Sequence, residues 1–144
     1  MNPAGNTLCY LAVTSKLLQN EGNLTFFEAN FVELKNSNLG EKTAVAHLTY
    51  VGDTDCGAGV NFGCGVAVAN FNGKAKFRTT IGDGAFLGCN TNLVAPVTVG
   101  AGAYTAAGAT VTRDVPEDAM LIARPEQIVK PGLARRFRRE PQKK

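Results

Sequence analysis

At 144 residues and 44% apolar side chains the chain has material for one packed domain, and no apolar run nears the ~20 residues of a bilayer-spanning helix. Sixteen glycines with 8% aromatics and no Trp weigh against a helical bundle and toward a turn-rich β architecture. The formal charge of +3 sits in a tail: RRFRREPQKK (135–144) carries six of 15 basic residues and one of 12 acidic ones, leaving nine minus eleven, or −2, for the rest.

That tail suits RNA, anionic lipid or an acidic partner, but an ordinary solvated terminus accounts for it and is the expectation. No basic stretch precedes an apolar run at the N-terminus, so no secretory signal and no membrane contact are expected, and the cytoplasm is the expected location. The four cysteines (Cys9, Cys56, Cys64, Cys89) form no CxxC pair and read as free thiols. With His47 as the single histidine, no zinc site is expected, and a carbonic anhydrase needing three histidine ligands is excluded.

Residues 1–27 lie outside any repeat. Within them LCYLAVTSKLLQ (8–19) has apolar spacing that suits a short amphipathic helix, marginal unless docked. From 28 to 116 the chain falls into sixes. Irregular hexads place lead residues at Leu34, Leu39, Val45, Val51, Cys56, Phe62 and Val68, with two steps shortened to five. The segment ANFNGKAKFRTT (69–80) interrupts the pattern and reads as a loop thrown out of the repeat. Strict hexads follow, led by Ile81, Leu87, Leu93, Val99, Thr105 and Val111, with small or β-branched residues four positions later. A period of six cannot keep one helix face, because six steps of about 100° scatter the lead residues. It is a multiple of two, so short strands joined by corners keep every lead residue inside, as in a parallel β-helix of about 18 residues per turn. After Pro116 the repeat is expected to stop, leaving 117–144 as a cap and tail.

Several clusters stand out against the hexads: NFVELK (30–35), AHLTY (46–50), NFGCGVAVANFNGKAKFRT (61–79), LVAPVTVG (93–100) and TVTRDVP (110–116). Together they make residues 28–125 resemble the acetyltransferase domain of the bifunctional bacterial enzyme that acetylates glucosamine-1-phosphate and then uridylates the product. The resemblance implies an all-β, left-handed parallel β-helix with an extruded loop and short terminal extensions. It implies a homotrimer with active sites between subunits, acetyl-CoA as co-substrate and no metal. The product, N-acetylglucosamine-1-phosphate, would feed the nucleotide sugar of cell-wall synthesis. Left-handed crossovers run against the usual rule for parallel strands, and only the resemblance supplies them.

By the same resemblance His47 is the general base and Glu33 the carboxylate that orients it. Lys35 and Lys76 meet the sugar phosphate, and Tyr50, Asn61 and Asn70 hold the sugar or the acetyl end. Cys64, Phe71, Cys89, Ala107 and Arg124 fall on the coenzyme side, Arg124 toward a phosphate. The chain departs from the usual family form with GCG at 63–65, Ala-Asn-Phe at 69–71 and Gly-Cys at 88–89. Phe71 lacks a tyrosine hydroxyl, so weakened catalysis is expected. The uridyltransferase portion and an upstream phosphate-binding arginine have no counterpart, so no UTP turnover and no magnesium requirement are expected. The competing readings are a hexapeptide acyltransferase for another amine, and a non-catalytic β-helix fragment that only trimerises.

Overall fold

The computed structural model describes residues 9–14 and 30–138. Its strands run β1 (Cys9–Thr14), β2 (Asn30–Leu39), β3 (Ala44–Val45), β4 (Tyr50–Gly52), β5 (Thr54–Cys56), β6 (Asn61–Phe62) and β7 (Ala67–Ala69). After the loop come β8 (Thr79–Ile81), β9 (Phe86–Leu87), β10 (Asn92–Val94), β11 (Val97–Val99), β12 (Tyr104–Thr105), β13 (Thr110–Val111) and β14 (Met120–Leu121). A short 3-10 helix, Leu133–Phe137, lies near the C-terminal end.

The strands stack in parallel into three faces of a coil. Face 1 holds the first part of β2, then β4, β7, β10 and β13. Face 2 holds the end of β2, then β5, β8 and β11. Face 3 holds β3, β6, β9, β12 and β14. β2 bends round one corner, where Asn36 takes φ 50°.

The hexad leads fill the interior. On face 1 Leu34, Val51, Val68, Leu93 and Val111 lie in one column, and all are buried. Leu39, Cys56, Ile81 and Val99 form the second column, and Val45, Phe62, Leu87 and Thr105 the third. Buried hydroxyls at the secondary inward positions turn to main-chain carbonyls. Ser37 donates to Val51 O, Thr43 to Gly57 O and Thr91 to Gly88 O, which removes most of the penalty for burying them. Among the described residues Thr79 Oγ1 is the exception, buried without a partner.

Two expectations need correction. The helix expected over 8–19 is not formed where the chain is described: β1 is a strand, antiparallel to β2 on face 1. Apolar spacing over so short a run does not separate helix from strand, and Tyr10, Val13 and Thr14 favour the strand. Pairing with β2 also covers that strand's otherwise open edge. The rest of the expected helix lies outside the described residues. The coil also does not stop at Pro116. Val115 bridges to Val99, and β14 adds a fifth rung to face 3 through Thr105↔Leu121. Only four positions separate Val111 from Val115, so the sixfold count hides this last rung. Pro116 is exposed at a corner, where its missing N–H is harmless.

Leu87 is fully buried between Phe62 and Thr105. Leu87→Ala should lower unfolding stability by about 2–5 kcal/mol, read from urea denaturation. Thr98→Ala, on the exposed side of β11, should stay within about 0.5 kcal/mol of the parent.

Candidate active site

Two corners of the coil, with the loop that leaves one of them, carry most of the residues singled out by sequence. The first joins face 3 to face 1. Because Val45, Phe62, Leu87 and Thr105 are in register, the residues two positions later are too: His47, Cys64, Cys89 and Ala107. Main-chain bonds tie this column rung to rung, from Gly65 N to His47 O (3.2 Å), Asn90 N to Cys64 O (2.8 Å) and Gly108 N to Cys89 O (2.8 Å). At its far end Arg124 Nη1 donates to Ala107 O at 2.7 Å. The next residue in each corner has a positive φ, at Leu48 (44°), Gly65 (76°), Asn90 (56°) and Gly108 (75°). Leu48 is a strained choice for such a position and is also 62% exposed, directly after His47.

The second corner joins face 1 to face 2. Here Asn36, Asp53 and Asn70 recur at intervals of 17 and form a hydrogen-bonded ladder. Asn36 Nδ2 donates to Asp53 Oδ1, and Asn70 Nδ2 donates to Asp53 Oδ2, each at 2.5 Å. Burial opposes the Asp53 charge, but the two amides, with Lys76 and Arg78 nearby, outweigh it and hold the carboxyl below its ordinary 3.8. With its Nδ2 held by Asp53, Asn70 turns Oδ1 toward the Tyr50 hydroxyl, 3.5 Å away. The Tyr50 ring lies over Gly52: a Cβ there would collide with the hydroxyl and come within 2.7 Å of Asn70 Nδ2.

The loop departs from this corner as a small hairpin. Phe77 N donates to Asn70 O at 2.8 Å, Phe71 bridges to Lys76, and Asn72 Oδ1 accepts the amides of Lys74 and Ala75 at the tip. Its return limb is rooted by Arg78, which forks onto Asp55 with two 2.7 Å bonds and reaches Asn36 O at 3.2 Å. The Arg78 bonds, with Asn38 assisting against burial, hold Asp55 below its ordinary value.

The chain therefore gathers His47, Cys64, Cys89, Ala107 and Arg124 along one edge of face 1. Asn70, Lys76 and Lys35 lie at the other edge, with Tyr50 reaching toward them. Glu33 pairs in register with Tyr50 on the exposed side of face 1, and neither Glu33 nor His47 has a side-chain hydrogen bond or ion pair among the described residues. Asn61 sits apart on face 3, and Phe71 is 57% exposed on the loop. Sequence reasoning missed Gly52, Asp53, Asp55 and Arg78. The two five-residue steps were the available signal, since Asn36 and Asp53 occupy those shortened corners. Among the described residues no group of three or more His, Cys, Asp or Glu side chains could hold a metal ion, and no helix is long and apolar enough to cross a membrane.

Residues 78–113 match the family described as bacterial transferase hexapeptide (six repeats). That match falls on the strict hexads, between Arg78 and Arg113. It is 54% identical over 114 residues to the bifunctional protein GlmU of Brevibacillus brevis, an alignment covering 79% of the chain and 25% of that relative. The chain thus spans about a quarter of the length of the curated relatives it matches. A solved variant of GDP-perosamine N-acetyl transferase from Caulobacter crescentus, in complex with CoA and GDP-perosamine, is 26% identical with TM-score 0.57. It covers 69% of this chain and 45% of its own. The hexapeptide-repeat acetyltransferase VCA0836 of Vibrio cholerae, 19% identical, has TM-score 0.59 over 69% of this chain and 68% of its own. The expected left-handed parallel β-helix is the fold.

Asp53 and Asp55 both have folded-state values below 3.8, so the stability they contribute is complete above that value and is lost as pH falls through the lower ones. Thermal midpoints should hold from pH 7 to about 5 and decline below about 4. Asp53→Ala strands the Asn36 and Asn70 amides and should be about 1–3 kcal/mol less stable at pH 7. That gap should narrow in acid, and a pH-independent gap would contradict the ladder's electrostatic origin.

Proposed function

We propose that this coil transfers an acetyl group from acetyl-CoA to the 2-amino group of glucosamine-1-phosphate. One observation carries the reading. An exposed imidazole, His47, stands at the foot of a column of small side chains, Cys64, Cys89 and Ala107, which ends in the Arg124 guanidinium. Such a column suits a long thiol-bearing molecule whose phosphates need a cation at the far end. Two relations support it: the similarity to GlmU over 79% of the chain, and the likeness to an N-acetyl transferase solved with CoA.

An amine attacks a thioester only with its lone pair free. The neutral imidazole of His47 accepts the amine proton as the carbon–nitrogen bond forms, and the sulfur leaves as the thiol. Glu33 steadies the resulting imidazolium. Lys35 and Lys76 bind the sugar phosphate, while Tyr50, Asn61 and Asn70 hold sugar hydroxyls or the acetyl oxygen. Asn70 suits a sugar hydroxyl as donor, because Asp53 holds its Nδ2 and leaves the accepting Oδ1 toward Tyr50. Phe71 supplies contact without a hydroxyl, and the coenzyme lies along Cys64, Cys89 and Ala107 toward Arg124.

His47 and Asp53 mark the two edges of face 1, six residues apart with Tyr50–Gly52 extended between them, a separation of up to roughly 20 Å. A small sugar does not span that distance. We therefore place each site between two copies of the chain, one giving the His47 edge and the other the Lys35–Asn70–Lys76 edge, in a homotrimer.

Thiol release from acetyl-CoA should require glucosamine-1-phosphate, and His47→Ala should lower kcat about 10²–10⁴-fold with little change in KM. Release that persists undiminished in His47→Ala removes the histidine from the chemistry. Light scattering should give the mass of a trimer, and a clean monomer would rule out the shared site.

A further inference from the structure

Cys56, Cys64 and Cys89 are free thiols in contrasting settings. Cys56 faces the core, and burial pushes its thiol up to about 12. Cys64 is half-buried and Cys89 exposed, both on the His47 corner. Their register follows from Asn61↔Phe86 and Phe62↔Leu87, which continues to Cys64 opposite Cys89 on the next rung. Parallel rungs lie about 4.8 Å apart, within the span of about 4.4–6.8 Å between Cα atoms that a disulfide bridges.

Two observations show how close these corners are. Asn90 N donates to Cys64 O at 2.8 Å, and a Cβ placed on Gly63 would fall 2.6 Å from Cys89 N and 2.8 Å from Gly88 C. The peptides carrying the two cysteines are in direct contact.

We propose that Cys64 and Cys89 form a reversible dithiol site that closes to an intrachain disulfide when a low-molecular-weight disulfide acts as oxidant. The exposed Cys89 sulfur, as thiolate, attacks one sulfur of the small disulfide, forming a mixed disulfide and expelling one small thiolate. The Cys64 sulfur then attacks the Cys89 sulfur, forming the bridge and expelling the second. The two protein thiols lose two electrons and two protons, and the small disulfide is reduced to two thiols. Exposure at this corner also leaves the bridge open to reduction by small thiols. The bridge lies between His47 and Ala107, so it closes off the column assigned above to the coenzyme. The pairing is independent of the catalytic reading, and only its effect on turnover rests on that reading.

The test uses the full chain in a Cys9→Ser background, treated with glutathione disulfide, alkylated and mapped by mass spectrometry. The expected product is a peptide linking Cys64 to Cys89 in a chain lighter by two hydrogens, reversed by dithiothreitol. Cys56 should alkylate only after denaturation. Cys64→Ala should stop at a lasting glutathione adduct on Cys89, because no neighbouring thiol resolves it. Separate adducts on Cys64 and Cys89 without the linked peptide overturn the proposal, as does a link between chains seen as a dimer on a non-reducing gel. If the reduced chain acetylates glucosamine-1-phosphate, the linked form should be slower by about tenfold or more. Full activity in the linked form overturns the gating. An inactive reduced chain counts against the proposed acetyl transfer alone, and the peptide map still decides the pairing.

Discussion

The structure depends on in-register parallel stacking. From β3 onward each strand has only two or three residues between corners and would be worthless alone, because its few hydrogen bonds would not offset the entropy of ordering it. Stacked, it is bonded above and below, and its inward residue meets the equivalent residues of neighbouring rungs. Register is also what turns sequence into chemistry here. A residue placed once at a corner becomes part of a vertical row, so function is organised by column. His47 is adjacent to Cys64 for the same reason that Val45 is adjacent to Phe62.

The two corners of face 1 solve different physical problems. The His47 corner is assembled from main-chain bonds and small side chains, which leaves an open, unencumbered row. The Asn36–Asp53–Asn70 corner is assembled from side chains, and a carboxylate at its centre converts two flexible amides into fixed ones. A buried negative charge is normally unfavourable. It is tolerated because both oxygens are occupied and two cationic residues of the loop lie close by. The same charge that orders the corner thus helps retain the loop.

Much of this was legible in the hexads. Every lead residue from Leu34 to Val111 is buried, because an even period with small corner residues admits one inward direction. Column membership was legible too, since residues two places after a lead recur at the same corner. What escaped notice has local reasons. β1 is a short apolar run whose fate depends on the partner β2 offers, and β14 follows a corner that lost two positions. The Asp53 ladder is polar, so hydrophobic periodicity carries no trace of it beyond the two shortened steps. The split of catalytic and sugar-binding candidates between two edges is a property of three dimensions, and linear spacing conceals it.

The extruded loop has a consequence for how such coils diversify. Asn36 to Asp53 and Asp53 to Asn70 each span 17 positions, whereas Ala58 meets Asp83 25 positions on. The additional residues leave and return at one corner, and the rungs on either side, β5 and β8, still pair in full register. The scaffold therefore treats this corner as a socket: segments of different length and chemistry can be exchanged there while the stack beneath remains unchanged. Under the proposed acetyl transfer, acceptor choice and coenzyme binding would fall on separate edges, as properties that evolution or an engineer can alter one at a time.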